Sequence, residues 1–91
     1  MLYMGDVKSI NEKKGFYFFS KDSMKFFNSR IGSTLYGDKF FVTSEKYSTE
    51  PRKYTIRVFD ETTGNIGTVS EFQEFRTMSA AVSYIKKYLL S

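Results

Sequence analysis

The feature that most constrains the fold is the stretch RKYTIRVFDETTGNIGTVSEFQEF, residues 52–75. It alternates apolar and polar residues, breaks at Gly64 and then alternates again. Because successive side chains of a strand point to opposite faces, one face receives Tyr54, Ile56 and Val58 and the other receives Lys53, Thr55, Arg57 and Phe59. Gly64 suits the positive φ of a type I turn followed by a bulge. The stretch therefore predicts a half-buried β-hairpin.

The return strand of this hairpin is predicted over about 66–75, but its register stays open. In an unbroken strand Ile66 and Phe72 lie on one face, whereas Val69 and Phe75 lie on the other. Either a bulge interrupts the strand or both of its faces are partly covered.

Two further strands are predicted upstream. The aromatic run GFYFFS, residues 15–20, is typical of a strand that is buried on both faces. KFFVTSE, residues 39–45, is a second strand, and Pro51 in the polar connection after it argues against continued pairing there.

Two helices are predicted from apolar spacing. In SKDSMKFFNSRIG, Met24, Phe27 and Ile31 recur at i, i+3 and i+7, which indicates a short internal helix with Ser20 or Asp22 as its N-cap and Gly32 as its stop. Near the end of the chain, Thr77 can cap a longer helix, which has Lys86 and Lys87 in its last turn, where positive charge suits the dipole. Its apolar stripe consists of Met78, Ala81, Val82, Ile85 and Leu89.

These elements predict an α+β fold. It has a small, mainly antiparallel sheet of about four strands, a short internal helix and a C-terminal helix packed on the sheet. With 91 residues the chain is expected to form a single domain, 1–91. Because 41% of the residues are hydrophobic and 19% aromatic, the chain is expected to be ordered, with a core that includes Phe16, Phe18, Phe26 and Phe27.

The residues needed for common catalytic chemistry are scarce. The chain has no cysteine and no histidine, so it has no disulfide, no thiol nucleophile and no imidazole base. The carboxylate pairs Asp60/Glu61 and Glu71/Glu74 are best explained as a solvated turn and outward-facing strand residues. We therefore expect a protein that is not an enzyme and has neither metal nor cofactor. Without a signal peptide or a membrane span, the expected location is the cytoplasm.

The net charge of +4 favours a polyanionic partner, although its distribution matters more than its sum. The first candidates for a binding surface are Lys53, Arg57 and Arg76, and the second group is Lys21, Lys25 and Arg30. Lys53 and Arg57 share a strand face and lie about 13 Å apart at about 3.3 Å per residue, which suits two phosphates. Neighbouring carboxylates would instead make this face inert or suited to a protein partner.

Two resemblances extend these expectations. The order of strands and helix over 39–90, with YTIRVFDETTG, Phe75, Thr77 and Ala81, resembles the three-stranded-sheet-plus-helix DNA-binding domains of phage integrase arms and plant AP2 factors. That resemblance implies a sheet that enters the major groove. The basic and aromatic side chains that those domains place along all three strands are not obvious here.

The second resemblance rests on SKDSMKFFNSRI, LYGDKFFVTSE, PRKYTIRVFDETTGNIGTV and SEFQEF. These segments look like a family of short uncharacterised proteins from phages and other mobile elements. The resemblance implies a small accessory protein in the host cytoplasm that binds a host protein complex and inhibits host defence, as anti-CRISPR proteins do. The alternatives are a basic nucleic-acid-binding module that uses the hairpin face, and capture of a small ligand beside Tyr17, Tyr36 or Tyr54. The oligomeric state stays open.

Overall fold

A four-stranded antiparallel sheet carries a helix on each of its faces. The computed structural model describes residues 2–16, 18–20, 24–25, 29–46 and 49–90. In chain order the elements are α1 (Met4–Lys13), β1 (Arg30–Ile31), β2 (Phe40–Glu45), β3 (Lys53–Phe59), β4 (Ile66–Val69) and α2 (Met78–Tyr84), which continues as a π-helical segment (Ile85–Leu89). The predicted α+β class, with an antiparallel sheet and a C-terminal helix, is confirmed.

The strands lie in the order of the sequence, β1-β2-β3-β4. Phe41 is opposite Arg57, and Val42 is opposite Ile56, which is in turn opposite Val69. This register sends alternate residues of each strand to opposite faces of the sheet.

Each face of the sheet has its own hydrophobic core. On one face Met4 and Val7 of α1 pack with Phe41 and Phe59. On the other face Ala81 of α2 and Ile85 pack with Val42 and Ile56. Because apolar side chains leave water on both sides of β2 and β3, the central strands are buried on both faces.

The predicted hairpin is confirmed, and its open register is resolved. Gly64 has φ of 79°, and its N–H donates to the carbonyl of Asp60 at 2.7 Å, which closes the loop. Ile66 packs against the first core and Val69 against the second. Both faces of the return strand are therefore covered, which explains its apolar pattern without a bulge.

The return strand is shorter than predicted. It ends at Val69 and not at Phe75, because Ser70 and Gln73 have left-handed backbones with φ of 64° and 57°. Phe75 then forms an isolated bridge with Tyr54. Glu71 and Glu74 consequently lie in an exposed loop and not on a strand.

The strand predicted over 15–20 is wrong. The described residues there form turns that follow α1, a helix that the sequence analysis did not predict. The Phe16 N–H donates to the Asn11 backbone carbonyl at 3.0 Å, and the Phe18 N–H donates to the Asn11 Oδ1 at 3.1 Å. A residue of α1 therefore satisfies backbone donors that a strand would have paired with a neighbouring strand. Phe18 packs on Phe41 as expected, but Phe16 is 40% exposed and is not a core residue.

The short internal helix falls largely outside the described residues. Met24 and Lys25 are helical, but Lys21, Asp22, Ser23, Phe26, Phe27 and Asn28 are not described. The predicted end of this helix is wrong: Arg30 and Ile31 form β1, paired with Ser44 and Thr43.

The C-terminal helix is confirmed in detail. The Thr77 Oγ1 accepts the Ala80 N–H at 3.1 Å, which caps the first turn. Ala81 and Ile85 are fully buried, whereas Met78 at the start of the predicted stripe is 40% exposed.

Candidate functional site

The antiparallel register brings basic residues from distant parts of the sequence to one end of the sheet. β1 begins at Arg30, opposite Ser44, and β3 begins at Lys53, opposite the last residue of β2. Arg76 follows the bridge between Phe75 and Tyr54 and therefore lies beside Lys53. We define the basic end as Arg30, Lys46, Arg52, Lys53 and Arg76.

Three residues of the basic end, Arg52, Lys53 and Arg76, line one cleft. Arg52 is held in place because its Nη1 donates to the Ser44 Oγ at 2.8 Å and to the Ser44 carbonyl at 3.2 Å. A cleft of about 430 Å³ is lined by Glu50, Pro51, Arg52, Lys53 and Arg76. Within the described part of the chain, none of the five basic-end side chains forms an ion pair.

An aromatic row begins where the basic end stops. The Phe75 ring lies 5.4 Å from the Tyr84 ring, and the Tyr84 ring lies 4.9 Å from the Tyr88 ring, measured between centroids. Tyr88 is 60% exposed, and the Lys87 Nζ lies 5.3 Å from its ring centroid. Because Phe75 directly precedes Arg76 in the sequence, the row Phe75, Tyr84 and Tyr88 begins next to the basic end and follows the C-terminal helix.

A buried polar network lies on the face of the sheet that packs against α1, next to the α1 core. The Gln73 N–H donates to the Thr55 Oγ1 at 2.8 Å, and the Thr55 hydroxyl donates to the Glu45 Oε1 at 2.7 Å. Arg57 Nε donates to the Thr43 Oγ1 at 3.0 Å, and its Nη1 donates to Thr68 Oγ1. The Arg57 Nη2 lies 3.8 Å from the Glu45 Oε2.

Arg57 is a charged component of this interior. Its guanidinium carbon lies 5.3 Å from the centroid of Phe18 and 5.5 Å from that of Phe72. Burial lowers the pKa of Arg57 below its ordinary value, and the nearby Glu45 carboxylate partly offsets this by raising it. Because an arginine guanidinium stays protonated across the ordinary pH range, Arg57 remains charged at neutral pH.

The structure brings together only some of the predicted binding residues. Lys53 and Arg76 line the same cleft, and Arg30 joins them at the end of the sheet. Arg57 shares a face with Lys53 as predicted but is directed into the buried network. Lys25 is exposed and has no described contact with the basic end, and Lys21 lies outside the described residues.

Part of this surface was not predicted from the sequence. Lys46, Arg52 and the aromatic row were not among the candidate binding residues. The four-residue spacing of Tyr84 and Tyr88 on a predicted helix was the available signal for the row, since such residues are neighbours on a helix surface. Of the proposed pocket tyrosines, Tyr36 and Tyr54 pack on the α2 core, whereas Tyr17 is not described.

The described residues provide no cluster for metal chemistry. No group of three or more metal-binding side chains of the kinds His, Cys, Asp and Glu occurs among them. The Asp60 carboxylate stabilises its own turn, since its Oδ1 accepts the Thr62 N–H at 2.9 Å. In the described segments, no helix is both long enough and apolar enough to cross a membrane.

Comparison with known proteins identifies a family but no characterised relative. The family of unknown function DUF7447 matches residues 3–86. No curated protein and no solved structure matches the chain. The expectation of an uncharacterised family is thereby confirmed, whereas its phage origin stays a prediction. Because the match spans nearly all of the sequence, the protein belongs to the family of unknown function DUF7447.

Proposed function

We propose that this protein is a non-enzymatic binding module for single-stranded nucleic acid. The observation that carries the proposal is the continuity between the basic end and the aromatic row. Proteins that bind single strands combine a positive groove for the backbone with aromatic rings on which bases stack. Here the phosphates would contact the basic end, and an unpaired base would stack on the exposed Tyr88 ring, against which Tyr84 packs.

The exposed Tyr88 ring favours a single strand over a duplex. Bases within a duplex are already stacked on one another and present only their edges, so an aromatic face gains little from them. An unpaired base offers its whole face, and stacking contributes about 1–3 kcal/mol for each base. The predicted major-groove mode is less well supported, because Arg57, at the centre of the hairpin, is directed into the buried network.

The test is binding of a fluorescently labelled oligouridylate, and of a duplex of equal length, at about 50 and about 200 mM salt. We expect the single strand to bind more tightly, with affinity that falls with salt because about 0.7 counterions are released for each phosphate contact. The charge-reversed variant Lys53→Glu/Arg76→Glu should lose at least about tenfold in affinity, and Tyr88→Ala about tenfold.

The matched control is Lys13→Glu/Lys39→Glu, which changes the net charge equally at exposed positions outside the basic end. If both double variants lose the same affinity, only the net charge matters and the proposed surface is wrong. Absence of binding at low salt would overturn the proposal altogether.

The prediction of a host protein complex as partner, with inhibition of host defence, rests on the phage-type resemblance alone. This alternative would be supported if the wild-type protein captured a host protein at physiological salt and bound neither the single strand nor the duplex. An interface with mixed charges depends less steeply on salt than a phosphate contact does.

A further inference from the structure

A small cavity lies over the buried polar network, on the face of the sheet that packs against α1. Its volume is about 180 Å³, well below the size of typical drug-binding pockets. The lining residues are Phe18, Met24, Ser29, Thr43, Glu45, Arg57 and Phe72. Two aromatic rings, Phe18 and Phe72, and the Met24 side chain form its apolar walls, and its charged groups are Glu45 and Arg57.

One carboxylate oxygen at this cavity has no hydrogen-bond donor among the described residues. Glu45 is only 1% exposed, and its Oε2 accepts no hydrogen bond from any residue that the structure describes. The Arg57 Nη2, 3.8 Å away, is beyond hydrogen-bonding distance. A buried acceptor without a donor is unfavourable, and more so when it is charged, so this oxygen favours a ligand that carries a donor.

The chemistry of the two charged groups restricts the ligand. A carboxylate only accepts hydrogen bonds and a guanidinium only donates them. Because the two charges compensate each other, a neutral ligand preserves the balance, whereas a charged ligand would leave an excess charge in a buried site. The ligand must therefore be neutral and must place a donor beside an acceptor.

We propose that this cavity binds one nucleobase. Its ring N–H would donate to the Glu45 Oε2, its neighbouring carbonyl would accept from the Arg57 Nη2, and its flat body would contact the Phe18 and Phe72 rings. The size of the cavity matches a single heterocycle and excludes a larger cofactor. This site shares no residue with the basic end, so it stands independently of the proposed strand-binding surface.

The experiment is a titration of the ¹⁵N-labelled full chain with uridine, followed by two-dimensional NMR. We expect saturable shifts of the Thr43 and Glu45 amides and of the Arg57 Nε–H. The matched ligand is 3-methyluridine, which keeps the ring and both carbonyls but lacks the N–H donor. It should bind at least about tenfold more weakly, because the Glu45 oxygen would again lack a donor.

A variant pair tests the aromatic wall. Phe72→Ala removes a ring that lines the cavity and is 41% exposed, and Phe16→Ala removes a ring of 40% exposure that does not line it. Both variants are expected to remain folded, as thermal denaturation will verify. Only Phe72→Ala should weaken uridine binding, by about tenfold, which corresponds to about 1.4 kcal/mol.

A second titration distinguishes a free base from a base that belongs to a strand. A short oligouridylate is added to the Lys53→Glu/Arg76→Glu variant, in which the cavity is intact. If uridine shifts the NMR signals of the cavity residues, the cavity is a free-nucleoside site. If only the oligomer shifts them, the cavity takes a base that belongs to a strand. No cavity shift with either ligand, or equal binding of uridine and 3-methyluridine, would overturn the proposal and leave the strand-binding surface untouched.

Discussion

A single buried side chain, Asn11, links three segments that are distant in the sequence. It is 1% exposed and lies on α1. Its Nδ2 donates to the carbonyl of Gly64 in the hairpin loop at 2.8 Å, and its Oδ1 accepts the Phe18 N–H at 3.1 Å. This amide therefore supplies a donor for the Gly64 carbonyl and a second acceptor for the Phe18 N–H, which also donates to the Phe16 carbonyl at 2.8 Å.

We predict that Asn11→Ala lowers the free energy of unfolding by about 1–3 kcal/mol. The physical reason is that the Gly64 carbonyl loses its buried donor, whereas the Phe18 N–H keeps the Phe16 carbonyl as an acceptor. Urea denaturation measures the change. The control is Ser9→Ala, an exposed position on the same helix, which should change stability by no more than about 0.5 kcal/mol. Equal effects of the two substitutions would contradict the role assigned to Asn11.

At the scale of elements, the sequence predicted those segments whose apolar residues recur regularly. β2, β3 and the C-terminal helix have strong periods, and Gly64 marks the turn between β3 and β4 clearly. α1 was missed because its buried positions are Met4, Val7 and the polar Asn11, which do not form an apolar stripe. Its N-terminus is also unusual: the Asp6 carboxylate accepts the Tyr3 N–H at 2.9 Å, with no Ser, Thr, Asn or Asp at the N-cap.

The other differences between the predictions and the structure arise from tertiary contacts. The aromatic run at 15–20 has the composition of a strand, but Asn11 satisfies its N–H groups and so removes the need for a strand partner. The candidate site was predicted only in part for a similar reason. The proximity of Arg52 to Ser44, and of Phe75 to Tyr84, depends on strand register and on the packing of α2, which local patterns do not contain.

The contact between α1 and the hairpin loop gives the element-scale prediction. Gly64 has φ of 79°, and an added Cβ would lie 2.5 Å from the Cγ of Lys14 and 2.8 Å from its Cβ. Gly64→Ala should therefore destabilise the protein by about 2 kcal/mol, from left-handed strain and from displacement of the end of α1. Thermal denaturation monitored by circular dichroism measures the effect.

Gly5 provides the opposite control. It lies within α1, and an added Cβ there meets nothing within 4 Å. Gly5→Ala should stabilise the protein by about 0.4–1 kcal/mol, because alanine restricts the unfolded chain. Two glycine-to-alanine substitutions of the same sign would argue against the docking of the loop on α1.

For the whole molecule, the sheet divides the interior into two cores that share β2 and β3. Phe41 faces the α1 core and its neighbour Val42 faces the α2 core. If one core unfolds, it exposes one face of β2 and β3, the strands on which the other core packs. The two faces should consequently unfold together, although the side chains of one core do not pack against those of the other.

We predict that substitutions in the two cores are additive within one cooperative transition. Val7→Ala removes fully buried methyl groups from the α1 core and should cost about 2 kcal/mol, whereas Ile85→Val in the α2 core should cost about 1 kcal/mol. The double variant should lose about 3 kcal/mol, since the two sites share no contact. Urea unfolding followed by far-ultraviolet circular dichroism and by tyrosine fluorescence should give coincident curves for all three variants. Separate transitions would show that the two cores are independent units, and a second substitution that costs nothing once the first is present would contradict the predicted additivity.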